Sequence, residues 1–410
     1  EEEEEDVTSA YLSYYTDNGA FYYYQSGNNM TYEETLLQLW NYFHAQAIPY
    51  RSLQIDSWWY MKGRDNGTAL WDARQDAFPS GLQAFQEKLG VPLIAHNRWW
   101  SVETPYAIQN GGDYAFHIEQ RQPLPPSFMD DARGVSFSRR RRRLFGDDLV
   151  PLPYGTGIPL EKKFWVDLFR RGKEWGLRVY EQDWLHNTFL TLNYTLATHN
   201  GARKWLRQMD RAASQEGVII QYCMAFPRFY LQSLELPAVR QIRVSDDYGP
   251  SSRPDQWSCG DTALLAFALG LAPFKDVFWS SEVEEGSIYG PGTREAKPNL
   301  EAAIATLSTG PVAAGDKMGR EDKELLLRSC DAEGRILKPS RPLTTLDAVW
   351  WRRAFGDGVG GPEGLVMSSY ALLPRLYEES GGETSREERS KGKGGRAPKN
   401  MRGGGGREGG

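Results

Sequence analysis

The stretch Leu177–Trp184, LRVYEQDW, decides how the chain is read. It is a short β-prone run that ends in two carboxylates and an aromatic ring. Alternation along a strand puts Val179, Glu181 and Asp183 on one face. A second segment, Gln241–Tyr248 (QIRVSDDY), has the same form and stops abruptly at Asp246 and Asp247. Two such strand ends, with helices between them, are what a parallel α/β barrel uses to face carboxylates across a mouth.

Working outward, the same unit recurs. Tyr50–Ser57 (YRSLQIDS) is a strand ending at Asp56, followed by Trp58 and Trp59. Val91–Asn97 (VPLIAHN) ends in His96 and Asn97, with Arg98, Trp99 and Trp100 beyond. Helices fall between them. Thr31 with Glu34 forms a capping box ahead of the apolar stripe Leu36, Leu37, Trp40 and Phe43. Glu161–Trp175 is an amphipathic helix, and further helices are predicted over Arg203–Ala213, Gln256–Leu271 and Asn299–Ser308. Strands beginning near residues 50, 91, 177, 217, 241, 277 and 310 make seven, and an eighth inside 101–158 would complete a (β/α)8 TIM barrel. The rival, an open parallel sheet, lacks a Gly-rich phosphate loop after any strand.

The expected organisation is a lead-in over 1–30 and a barrel over 31–335 with an insert at about 101–158. A partial β domain follows over 336–376, and a disordered, low-complexity Gly-rich tail over 377–410. The opening EEEEED reads as a tail or as a cut in a longer protein. The insert carries the run Arg139–Arg143, which beside Asp147 and Asp148 reads as a solvated loop.

Composition narrows the function classes. The chain has 410 residues, 40% of them hydrophobic and 25% charged, enough for one large core. A net charge of -6 speaks against a dedicated nucleic-acid binder. There is no apolar run long enough to span a membrane. Three cysteines (Cys223, Cys259, Cys330) make no disulfide framework, and five histidines show no metal-ligand spacing, so neither cofactor nor metal is expected. The tripeptides Asn66-Gly-Thr68 and Asn193-Tyr-Thr195 permit a secretory location, although a cytoplasmic or plastid one is the expectation.

In such a barrel the chemistry sits at the C-terminal strand ends. The ionisable residues there are Asp56, His96, Arg98, Glu181, Asp183, Asp246, Asp247, Glu282, Asp316 and Lys317, with Trp58, Trp59, Trp99, Trp100, Trp184 and Trp279 nearby. An acid-rich rim with many aromatic rings suits glycosidic chemistry: one carboxylate attacks the anomeric carbon while another donates a proton to the leaving oxygen. The plainer alternative makes these acids barrel-mouth salt bridges to Arg178, Arg243 or Lys317.

Several pieces, in order, carry a family resemblance. They are QIDSWW (54–59), the FP-G-L beginning at Phe78, CMAFPRF (223–229), IRVSDDYGPSSRP (242–254), VFWSSE (277–282), LSTGPVAAGD (307–316) and EGRILKPSRPLTTLD (333–347). Over about 50–350 the chain resembles the retaining α-galactosidase and raffinose-synthase superfamily, in its raffinose synthase (seed imbibition protein) branch. The resemblance implies a barrel acting on α-linked galactosides by double displacement. It places the nucleophile at Asp183, closing the fourth strand, and the acid/base at Asp246, after the sixth. Asp56 then resembles a first-strand acid that binds sugar hydroxyls, with Trp58 or Trp59 as stacking platform. Asp316 falls near the sugar, and Arg243 precedes the acid/base. The family's Lys-x-Asp is here Glu181-Gln182-Asp183, and Glu181 is an alternative nucleophile on the same strand face. The substrate partner is an oligosaccharide or glycoside. A galactosyl-transferring enzyme and a non-catalytic carbohydrate-binding barrel remain open alternatives.

Overall fold

The computed structural model describes residues 6–120, 155–190, 192–250, 259–356 and 366–372. The arginine run, the segment 251–258 and the Gly-rich tail lie outside these residues. Eight parallel strands form one curled sheet: β1 (Ser13–Tyr15), β2 (Ser52–Ile55), β3 (Leu93–Asn97), β4 (Leu177–Gln182), β5 (Ile219–Tyr222), β6 (Val239–Arg243), β7 (Ala272–Phe274) and β8 (Ala313–Ala314). Each pairs with the next from β1 to β7, and β1 also pairs with β8. A parallel bridge from Phe278, just past β7, to Ala314 of β8 closes the ring. A helix follows each strand: α1 (Tyr32–Ala45), α2 (Gly81–Leu89), α3 (Lys162–Glu174), α4 (Gly201–Glu216), α5 (Pro227–Gln232), α6 (Gly260–Ala268), α7 (Pro298–Thr306) and α8 (Lys323–Leu327). This is a (β/α)8 barrel.

The eighth strand corrects the sequence-based count. It is Ser13–Tyr15, within the expected lead-in, and not part of 101–158. That region instead contributes an antiparallel hairpin, Phe116–Gln120 with Gly155–Pro159, outside the barrel sheet. Asp56 therefore closes the second strand, and the first closes on Asp17. The seventh strand starts at Ala272, earlier than the VFWSSE run suggested. Three-residue strands buried on both faces show no alternation, so periodicity could not find them.

Local chemistry explains the helices. The capping box on α1 is formed: Glu34 N–H donates to Thr31 Oγ1 at 3.1 Å, and Thr31 N–H to Glu34 Oε2 at 2.8 Å. The left-handed glycines Gly90 and Gly217 end α2 and α4, a conformation that costs other residues a Cβ clash. Helix stripes pack on outward-facing strand side chains. Tyr180 of β4 meets Trp165 and Phe169 of α3, and Tyr14 of β1 meets Phe43 of α1. Burying such rings contributes about 1.5–3 kcal/mol each.

Inside the barrel the layers turn polar. Ser13 and Ser52 share a hydroxyl hydrogen bond of 2.6 Å, and Gln54, Gln221 and Gln241 are fully buried. The N-terminal turn reaches this interior, with Gln241 Nε2 donating to Asp6 Oδ2 at 2.6 Å and Thr8 Oγ1 at 2.8 Å. Farther on, Arg341–Thr345 pairs antiparallel with Met367–Tyr370, flanking a helix over Asp347–Phe355. No helix among the described residues is long and apolar enough to cross a membrane.

Candidate active site

Strand ends β1 to β4 bring Asp17, Asp56, His96, Glu181 and Asp183 together. Alternation on β4 acts as the sequence suggested: Tyr180 points to the helices, while Glu181 enters the barrel and accepts from Gln54 Nε2 at 3.0 Å. The same amide donates to Asp56 Oδ2 at 3.1 Å, and its own Oε1 accepts from the Thr16 N–H at 3.0 Å. Gln54 thus gathers two acids while being oriented by the chain after β1.

His96 sits over this floor. Its Nε2 lies 3.1 Å from Asp183 Oδ2 and 4.0 Å from Asp56 Oδ2, and its Nδ1 is 3.1 Å from the Tyr60 hydroxyl. Burial lowers the imidazole pKa, but Asp56 and the hydrogen bond to Asp183 outweigh it, so the ring is held more basic than usual. Asp183 responds in the opposite sense. Burial raises its pKa, yet the His96 hydrogen bond and charge, Arg243, and the Trp184 N–H at 2.6 Å bring it well below the carboxylate range. Glu181, buried, opposed by His96 and pushed further by Asp56, is raised to about 7. Two carboxylates two residues apart on one strand face are therefore shifted in opposite directions.

The backbone at this point is unusual. Trp184 has φ of 60° and Met224, after β5, has φ of 49°, both left-handed for residues bearing a Cβ. Such geometry costs on the order of 1–3 kcal/mol and concentrates at functional sites. The two bends are tied together: His186 N–H donates to the Met224 carbonyl at 3.2 Å.

The β6 side is held by Arg243. Its Nη2 donates to Asp247 Oδ1 at 2.5 Å, and Nη1 lies 3.3 Å from Asp276 and 3.8 Å from Asp17. Asn18 donates to the other Asp247 oxygen at 3.2 Å. Asp246, its neighbour, is exposed.

The remaining expected residues divide sharply. Trp58 and Trp59 are 1% and 0% exposed. Trp58 stacks on Tyr32 with ring centroids 3.6 Å apart, and Trp59 packs against Trp71 and Trp175. Neither offers a face to a ligand, which corrects the stacking-platform expectation. Trp100 and Trp279 are likewise core. Trp99 and Trp184 meet edge to face at 5.1 Å, and the Arg98 guanidinium lies 4.9 Å from the Trp99 ring; all three are buried next to the Asp183 strand end, so Trp99 too packs within the fold. Asp316 is drawn aside: its carboxylate accepts from Ser280 N–H, Ser280 Oγ and Ser281 N–H at 2.6, 2.9 and 3.2 Å. Glu282 pairs with Arg294 and Lys317 with the Glu285 carbonyl, both toward solvent.

Sequence reasoning missed Asp17, Gln54, Tyr60, Gln221 and Asp276. Asp17 had a readable signal, because Ser13–Asp17 is also a β-prone run closed by an acid. The glutamines and Tyr60 had none, since their roles arise from cross-strand approach.

No protein-family model and no curated protein matches the sequence. Among solved structures, the chain is similar to a family-27 glycoside hydrolase, the β-L-arabinopyranosidase of Geobacillus stearothermophilus in complex with arabinose. The two are 13% identical over 82% of this chain and 79% of that one, with a TM-score of 0.50. The wild-type form of that enzyme aligns equally, over 78% of its length. An α-galactosidase from Lactobacillus brevis aligns over 77% of this chain and 39% of its own at 15% identity, with a TM-score of 0.45. The structural neighbours thus include glycoside hydrolases of families 27 and 36, and the first match establishes the shared barrel fold.

Proposed function

We propose that the protein is a retaining glycoside hydrolase that cleaves α-linked galactosides or related α-glycosides, with Asp183 as nucleophile. The observation that carries this reading is the Asp183 carboxylate. It ends β4, is held ionised by His96 and the Trp184 N–H, and its side chain keeps 13% exposure, while the floor acids beneath it are closed in. A nucleophile needs that combination of negative charge and access. Glu181 lacks it, being 2% exposed and bonded to Gln54.

The reaction follows in two displacements. Asp183 Oδ attacks the anomeric carbon as the bond to the leaving oxygen breaks, and Asp246 donates a proton to that oxygen. Asp246 then removes a proton from water, which attacks the same carbon and releases Asp183. Two inversions return the original configuration. Asp246 is exposed just past β6, where a leaving oxygen can reach it, and takes the acid/base role here.

A panel of aryl glycosides, with product anomers followed by NMR, tests the proposal. The expected result is turnover of an α-galactoside with the α-anomer formed first. Inversion, or no turnover of any α-glycoside, would sink it. Transfer of the glycosyl group to added sugar in preference to water would instead favour the transferase alternative.

A further inference from the structure

A hairpin follows β2 beside the reacting groups. Its strands Tyr60–Lys62 and Thr68–Ala73 pair antiparallel, with Lys62 opposite Thr68 and a turn through Asn66 between them. Alternation sends Met61, 41% exposed, to solvent and turns Tyr60 and Lys62 to the other face. The Tyr60 hydroxyl is 3.1 Å from His96 Nδ1, and His96 in turn holds Asp183. Lys62 stands farther out on that face. Its Nζ lies 5.8 Å from the Tyr60 ring and 4.6 Å from the Tyr24 ring, and donates to the Tyr24 hydroxyl. Lys62 is half-buried and Tyr24 is 40% exposed, so solvent still reaches this flank of the site.

A second, independent feature meets it there. Arg98, after β3, is only 6% exposed. Its Nη1 donates to the Asn66 carbonyl at 3.0 Å, which docks the guanidinium on the turn of Lys62's own hairpin. Its Nε is buried without a hydrogen-bond partner, and among the described residues the Asn66 carbonyl is the one acceptor this side chain has. The edge formed by Nε and Nη2 is thus unused, and that edge presents two parallel N–H groups to an oxyanion. Among the described residues neither Arg98 nor Lys62 has a carboxylate at ion-pair distance. The two cations also oppose each other. Burial first and the Arg98 charge next lower the Lys62 pKa to about 6, against the pull of Asp56. Cations held partly out of water without a counter-charge are costly, and one shared anion would offset both.

We propose that Arg98 and Lys62 form an oxyanion-binding subsite at the barrel mouth, so that the glycoside taken by this protein carries a carboxylate or sulfate group. The inference rests on the reading of the mouth as a sugar site and narrows its substrate class. Arg98 receives two oxygens of the anion on its unused edge from the buried side, and Lys62 covers the anion from the solvent side. The acids of the floor, on β1, β2 and β4, stay with the sugar hydroxyls and the reacting carbon.

Calorimetric titration of the full chain with D-galactose, D-galacturonate and D-galactose 6-sulfate tests this by binding alone. At least one of the two anionic sugars should bind about tenfold or more tighter than galactose, and which one does so identifies the oxyanion. Lys62→Met should remove about tenfold of that advantage while circular dichroism stays native. Arg98→Lys, which keeps the charge and loses the fork, should remove a similar factor. Lys62 lies half-buried on a hairpin outside the barrel sheet, so its variant guards against an Arg98 variant that fails to fold. Neither anionic sugar exceeding galactose would overturn the proposal, and so would an advantage that survives Lys62→Met unchanged. Turnover of a neutral α-galactoside with no preference for either anionic sugar would sink this inference and leave the reaction standing. Anion-dependent binding lost in Lys62→Met, without turnover of any α-glycoside, would do the reverse.

Discussion

Strands β4 and β8 both close on an aspartate at the same rim of the barrel, and the two are used in opposite ways. Asp316, after β8, is 2% exposed and accepts three hydrogen bonds from Ser280 and Ser281. Asp183, after β4, takes one hydrogen bond from an imidazole and one from a backbone N–H, and keeps a face toward solvent. A carboxylate whose lone pairs are filled by its own chain is a cap that fixes loops. One that is charged but incompletely filled is available to a substrate. Position at the strand end is shared; hydrogen-bond saturation separates them.

The sharpest way to break this contrast is to remove each acid in turn. Asp183→Ala should lower turnover of an activated α-galactoside on the order of 10⁴-fold while the circular-dichroism spectrum stays native. Asp316→Ala should leave kcat nearly intact and lower stability by about 1–3 kcal/mol, since it orphans buried donors. If the two variants exchanged phenotypes in paired kinetic and thermal measurements, the assignment would be reversed. Next in size, His96→Gln should reduce kcat by about 10²-fold, because Asp183 loses the partner that holds it charged and oriented. Retention of full activity would show that Asp183 needs no such support.

Asp246→Ala sharpens the proton-transfer role. A substrate with a natural sugar leaving group should lose roughly 10²–10⁴-fold, and one with a nitrophenol leaving group far less. Equal losses on both would be inconsistent with Asp246 as the acid, and a larger effect from Asp247→Asn would move the role one residue on.

The smallest effect concerns the β8 side. Glu284 lies beside Asp316; burial and then the Asp316 charge raise its pKa to about 9, while burial raises Asp316 to about 7. A carboxyl group whose folded pKa is raised binds its proton more tightly when folded, so the benefit is complete below about pH 4.5 and fades as pH climbs through 9. Glu284→Gln should therefore gain about 1 kcal/mol near pH 9, roughly 2–4 °C in Tm, and little near pH 5. Thermal scans at the two pH values measure this difference directly, and a variant destabilised equally at both would contradict it.

The sequence by itself determined the strand–helix repeat, the capping box on α1, the inward face of β4 and the gathering of acids at one rim. Those features are written in local chemistry: a period of two or 3.6, a hydroxyl three residues before a glutamate, an apolar run stopped by an acid. Only the tertiary structure decided which acids matter and how. Trp58 and Trp59 look like rim aromatics until Tyr32, Trp71 and Trp175 close over them. Ser13–Tyr15 is too short to show a period, so the strand carrying Asp17 became visible only through its pairing with β2 and β8. Glu181 and Asp183 are two acids in one run of residues. Their opposite shifts follow from burial beside Asp56 in one case and contact with His96 in the other, groups separated from them by 87 residues or more along the chain. Electrostatics in a buried site depends on distance through space, and that is fixed by the closure of the barrel.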